Sequence, residues 1–175
     1  MEYREVWTRD GKPTGRVVEK HRDKQPGEYF RHVIVILKTQ DSPAPGTGEG
    51  RYIVQQRSLK ARYYAGKWDV TGGGVQAGEG LKETACREVQ EELGLSVTQS
   101  DLHPAFSYRV DFVDGSGFLI TVFACRAEVP PEGCDFNRWE VNDVRNVPFS
   151  EFCFHVLDHN DDTFRQGLET IEKVL

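Results

Sequence analysis

The sequence predicts an α+β domain in which one amphipathic helix is set between β-strands. Short β-branched runs bounded by turn residues recur along the chain, among them HVIVILK (32–38) and RYIVQQR (51–57). One stretch, from Leu81 to Leu93, changes to helical spacing and stops at Gly94, where a C-terminal glycine belongs. The composition, 38% hydrophobic and 29% charged over 175 residues, is that of a folded chain able to bury a core.

Taken in order, EYREVWTRDGKPTGRVV reads as two short strands around a Gly and Pro turn. HVIVILK is short enough for a buried strand, and TQDSPAPGTGEG is a loop by its Pro, Gly and Ser content. RYIVQQR returns as a second strand, so a long hairpin loop joins the two. Trp68 to Thr71 is a further extended piece, ended by Gly72, Gly73 and Gly74. In the helix, Ala85, Cys86, Val89 and Leu93 share the apolar face. AFSYRVDFV and GFLITVFACRAEV are strands split by a turn at DGSG, and WEVNDVRNVP is one more. The tail has helical spacing, first in FSEFCFHVL and then through Phe164, Leu168, Ile171 and Leu175. With no repeat and no linker composition, residues 1–175 read as a single domain.

The net charge of -6 argues against binding a nucleic acid polymer, which wants a basic footprint. A single nucleotide, whose phosphates arrive with a cation, stays open. The opening MEYREVWTRD lacks the apolar stretch of a signal peptide, and no run reaches membrane-spanning length. Cys86, Cys125, Cys134 and Cys153 have neither CxxC spacing nor a dense framework. A cytoplasmic protein with reduced thiols and no membrane partner is expected.

The segment REVQEELG (87–94) places three glutamates within five positions of the helix. With Glu88 as the zero of a helical wheel, Glu92 lies about 40° to one side and Glu91 about 60° to the other. Like charges at this spacing repel, and Arg87 alone cannot neutralise all three. Three glutamates by themselves fit a solvated face. They also fit a site for magnesium, a hard ion that takes oxygen ligands and bridges carboxylates to substrate phosphates.

From Gly73 to Leu95 the chain reads G-x5-E-x7-R-E-U-x-E-E-x-G-U, where U is a bulky aliphatic residue. Its fixed positions are Gly73, Glu79, Arg87, Glu88, Val89, Glu91, Glu92, Gly94 and Leu95. This resembles the signature of the Nudix hydrolases at every position. The resemblance implies an α/β/α sandwich around a mixed β-sheet, with a loop–helix–loop over residues 73–95. It implies that Glu88, Glu91 and Glu92 bind Mg²⁺ or Mn²⁺, and that Glu79 and Arg87 complete the catalytic set. The implied reaction is hydrolysis of a diphosphate linkage in a nucleoside diphosphate derivative or a small organic diphosphate by a metal-polarised water. Gly73 is expected to let the backbone turn tightly from strand to helix. The general base is open among Glu88, Glu92 and three acids outside the box: Asp111, Asp114 and Glu140.

Upstream, Gln56, Arg57, Ser58 and Lys60, followed by Gly66, Lys67, Trp68 and Asp69, are similar to the lead-in of the Nudix subgroup related to isopentenyl diphosphate isomerase. Isomerase activity needs a cysteine shortly after that tryptophan, and WDVTGGGVQAGE has none. His32 resembles a metal histidine of that enzyme but is more often structural at a strand start, and Cys86 reads as core. Arg57 and Lys60, with Arg62, are candidates for a basic edge near the substrate phosphates, against the plainer reading of a solvated hairpin end. Trp68 and Phe30 read as packing residues. A silent ligand-sensing Nudix domain is the third reading, opposed by the intact glutamates. The expected partners are a small-molecule diphosphate and, at most, a second copy of the chain in a homodimer.

Overall fold

A computed structural model describes residues 2–39, 50–130, 133–157 and 162–175. The loop expected between the first two core strands falls largely at 40–49, outside the described residues. Strands β1 (Tyr3–Trp7) and β2 (Pro13–Glu19) form the expected hairpin. The next strand, β3 (Tyr29–Thr39), is longer at both ends than HVIVILK. It starts earlier because Tyr29 and Phe30 are themselves buried.

β3 is the spine of a nine-stranded mixed sheet. One edge of β3 pairs in parallel with β8 (Gly117–Ala127) along its whole length. The other edge is shared by three strands. β1 takes the start at Tyr29, β6 (Thr71–Gly74) takes the middle from His32 to Val35, and β4 (Arg51–Arg57) takes the end at Lys38. β4 in turn pairs with β5 (Trp68–Asp69) and β9 (Val141–Pro148), while β7 (His103–Asp111) pairs antiparallel with β8. Among the described residues β6 pairs with β3 alone, and on its other edge the Gly72 N–H and the Gly74 carbonyl meet the side chains of Glu92 and Arg87.

Successive residues of a strand face opposite sides of a sheet, and β3 has a core on each. Val33, Val35 and Leu37 pack with Ala85, Val89 and Leu93 of α1 (Leu81–Leu93). Ile34 and Ile36 pack instead with Phe152 and Val156 of α2 (Phe149–Leu157), Phe164 and Leu168 of α3 (Asp162–Leu168) and Ile171 of α4 (Ile171–Val174). This is the α/β/α layering expected. Burying a side chain such as Phe152 or Phe164 stabilises by about 1.5–3 kcal/mol.

Helix α1 begins at Gly80, whose N–H donates to the Glu83 carboxylate at 3.2 Å. It ends at Gly94, in left-handed backbone with φ 66°, and the Gly94 N–H donates to the Gln90 carbonyl. A Cβ at Gly94 would also stand 2.5 Å from the Asp135 carbonyl oxygen. Gly94→Ala therefore meets both an unfavourable φ and a backbone wall. It should lower unfolding free energy by about 1–3 kcal/mol, read as a lower urea midpoint at unchanged slope.

Candidate active site

The three box glutamates divide. Glu88 and Glu92 project from α1 under β6 and are each only 7% exposed, whereas Glu91 stands in solvent. A stripe wholly beside the apolar face is thus replaced by two buried carboxylates and one open one. The reason is the strand above them. A Cβ on Gly73 would fall on the Glu88 carboxylate, so Gly73 is needed for close approach inside β6 and not for the tight turn expected of it.

Glu92 accepts hydrogen bonds from Gln55 Nε2 at 2.8 Å and from the Gly72 N–H at 3.2 Å. Gln55 is fixed by Thr71, whose hydroxyl donates to its amide oxygen. Burial is the main influence on both carboxyls. It raises Glu88 and pushes Glu92 up to about 8, with the Glu88 and Glu140 charges adding to the effect at Glu92.

Arg87 ties the box together. Its Nε and Nη2 meet the two oxygens of Glu79 at 2.8 and 3.0 Å, the bidentate geometry that fixes both partners. Its Nη1 reaches Glu88 at 2.8 Å and Glu91 at 3.0 Å. Nη2 also touches the Gly74 carbonyl at 3.4 Å. Burial opposes ionisation of Glu79, but the bonds from Arg87, from the Thr84 hydroxyl and from the Gln76 N–H hold it below the usual carboxylate range. Glu79 is therefore the permanently charged anchor. The Arg87 side chain is raised in turn, chiefly by its hydrogen bonds to Glu79.

No group of three His, Cys, Asp or Glu side chains forms a ready-made metal cage among the described residues. The donor set still suits a hard cation. Two desolvated carboxylates lie together under a glycine strand, and magnesium completes its shell with water and phosphate oxygen.

Of the acids outside the box, only Glu140 comes near the cluster. Asp111 is committed to Arg9, Tyr29 and Arg109 at 2.7–2.8 Å, and those bonds hold it far below the usual range. Asp114 closes the turn onto Ser116. Arg57 donates to the Tyr63 carbonyl and stands 3.9 Å from Asp69. Lys60 lies 5.7 Å from the Trp139 ring, next to Glu140, and Arg62 pairs with Asp23. Trp68 packs against the α2-side core with Arg145 4.4 Å over its ring, and Phe30 is buried. Cys86 is half-buried with its thiol raised by burial, and all four cysteines are free. Two residues near the box had no place in the motif reading. Gln55 was detectable as a polar residue in the otherwise buried run of β4. Arg4 had no signal in its own neighbourhood.

The NUDIX domain family profile matches residues 29–168, and the chain belongs to that family. It is 25% identical over 164 residues to Nudix hydrolase 3 of Arabidopsis thaliana, covering 86% of this chain and 20% of the relative. It is 37% identical over 95 residues to the oxidized purine nucleoside triphosphate hydrolase of Danio rerio, covering 53% of this chain and 59% of that one. The chain thus spans well under two thirds of either relative. A crystal structure from Deinococcus radiodurans superposes with a TM-score of 0.69 at 16% identity, covering 97% of this chain and 99% of the other, which establishes the fold. Nudix hydrolases generally use divalent metals. No helix among the described residues is long and apolar enough to cross a membrane.

Because Glu92 binds its proton more tightly folded than unfolded, its ionisation opposes folding. In metal-free protein its contribution is intact below pH about 4.5 and is lost as the pH rises toward about 8. Urea midpoints taken in EDTA should fall across that window, and Glu92→Gln should flatten the decline.

Proposed function

We propose that the protein is a Mg²⁺- or Mn²⁺-dependent pyrophosphohydrolase that cleaves a diphosphate linkage in a nucleoside diphosphate derivative or related small organic diphosphate. One observation carries this reading: Glu88 and Glu92 are buried side by side under a bare glycine strand, with their proton affinity raised. Such a pair is costly unless a cation shares it. Glu88 and Glu92, with Glu91 at the rim, would hold that cation. When bound, it supplies Lewis-acid polarisation and neutralises phosphate charge.

The chain's own residues supply the rest. Glu79 and Arg87 lock the helix to the glycine strand and keep Glu88 and Glu91 oriented. Glu140 is the outside acid best placed to take a proton from an attacking water, because its charge reaches Glu92. Arg57 and Lys60 stand at the end of β4 and in the turn beyond it, as a basic edge for the substrate. The likeness to the oxidized purine nucleoside triphosphate hydrolase of Danio rerio puts nucleoside triphosphates on the panel of substrates. The isomerase reading is opposed by Cys86, which stands against the α1-side core and not in the cleft.

Release of phosphate or monophosphate should be measured over nucleoside di- and triphosphates, ADP-ribose, dinucleotides and isopentenyl diphosphate with Mg²⁺. Turnover should require the metal and fall by about a hundredfold or more in Glu92→Gln. Silence of the wild-type chain over the whole panel would sink the hydrolase reading.

A further inference from the structure

The glycine strand has two occupied faces. Gly73 is bare because the Glu88 carboxylate lies against it, and Gly74 is bare because the Arg4 guanidinium lies against it. Neighbouring residues of a strand project to opposite sides. Arg4 therefore approaches β6 from the face opposite Glu88, with only backbone between them. Gly74 is not a fixed position of the box motif, so the motif alone does not account for the room made for Arg4.

The Arg4 side chain has no hydrogen bond or ion pair with another described residue, and its buried Nε lacks any partner. Its surroundings are aromatic and cationic, and the charges of Glu88 and Glu2 reach it without a direct bond. The guanidinium is 5.9 Å from the Phe30 ring, and Lys24 Nζ is 5.7 Å from the same ring. Lys24 Nζ also sits 3.8 Å from the Phe118 ring and 4.8 Å from Phe112, likewise without a direct carboxylate partner among the described residues. Burial pulls both cations down, and Arg4 adds to the effect on Lys24. His32 stacks on Phe118 and is pushed down to about 4 by burial and Arg4, so it brings no charge at neutral pH.

We propose that Arg4, against Gly74, and Lys24, which shares the Phe30 ring with it, form an anion subsite that takes a phosphate group of the substrate from the face opposite Glu88. Two partly desolvated cations, neither bonded to a carboxylate among the described residues, suit a compact anion of more than one charge, which a phosphate is and a single carboxylate is not. A diphosphate reaching round the Gly72–Gly74 edge would meet Arg4 on one face and Arg87 with the acidic pair on the other. Both residues precede the family-matched span of 29–168, so the subsite is an addition of the N-terminal hairpin and the segment after it. The assignment of that phosphate to a diphosphate substrate rests on the hydrolase reading.

Inorganic pyrophosphate titrated calorimetrically into the full chain, with and without Mg²⁺, is the test. Arg4→Gln and Lys24→Gln should each weaken binding about tenfold, and Arg4→Lys should recover part of the loss. Lys12→Gln removes the same charge from the exposed hairpin turn and should change binding less than twofold. At equal concentration pyrophosphate should raise the thermal midpoint of wild type more than that of Arg4→Gln, while the ligand-free midpoints report folding, which separates lost binding from lost folding. Equal affinity in wild type and both variants overturns the subsite, as does an equal loss in Lys12→Gln. If no diphosphate is turned over yet binding still depends on Arg4 and Lys24, the subsite stands and the hydrolase reading falls. If turnover is found and the variants bind normally, the subsite alone falls.

Discussion

The burial of two carboxylates beneath one glycine strand is the constraint on which the rest of this structure depends. Ionised groups removed from water must find compensation, and each neighbour of Glu88 and Glu92 supplies part of it. The Gly72 N–H and Gln55 serve Glu92, and Arg87 serves Glu88. Gly73 must carry no side chain, because the space a Cβ needs is already filled by carboxylate oxygen. Glu79 is then required as a second anion for Arg87, since it is the bidentate pair that holds the guanidinium over Glu88 and Glu91. Remove any member and a buried charge is left unpaired, a loss larger than the pair itself is worth.

The sheet is what brings these distant segments together. β3 presents one continuous edge to β8, while its other edge is divided among β1, β6 and β4. That division places the hairpin residue Arg4, the β4 residue Gln55 and the β6 glycines around one gap. Helix α1 closes the gap from below because Val89 and Leu93 pack onto the same face of β3 as Val33 and Val35. Rotating α1 to expose Glu88 and Glu92 would take this apolar stripe out of the core. Helix burial and carboxylate burial are therefore one event.

How much of this was legible in the sequence follows from the range of each interaction. The bounds of α1 were readable residue by residue, because its apolar period and Gly94 are local signals. The contact of Arg87 with Glu91 lies within one helical turn, whereas its bidentate bond to Glu79 depends on where the preceding loop returns. The burial of Glu88 and Glu92 did not follow, since a helical wheel places them beside the apolar face and is silent about what covers that face. Gln55 and Arg4 meet the box only through strand register, 37 residues from Glu92 in the case of Gln55. Asp111 shows the converse. The sequence left it open as a general base, yet Tyr29 and Arg9, which hold it, lie 82 and 102 residues away.

The same register explains why charge at the gap is divided and not simply concentrated. On the α1 face the box is acidic, with Glu88 and Glu92 raised by burial. On the other face Arg4 and Lys24 stand among Phe30, Phe112 and Phe118 without acids to pair with. The two groups cannot neutralise one another directly, because Gly73 and Gly74 hold them on opposite sides of a strand. Collapse into a mutual salt bridge would require the strand to leave β3, where Val33 and His32 are its partners. Opposite charges kept apart by backbone stay available. An anion and a cation arriving together beside the glycine strand would relieve both faces at once, whereas either alone would relieve only one.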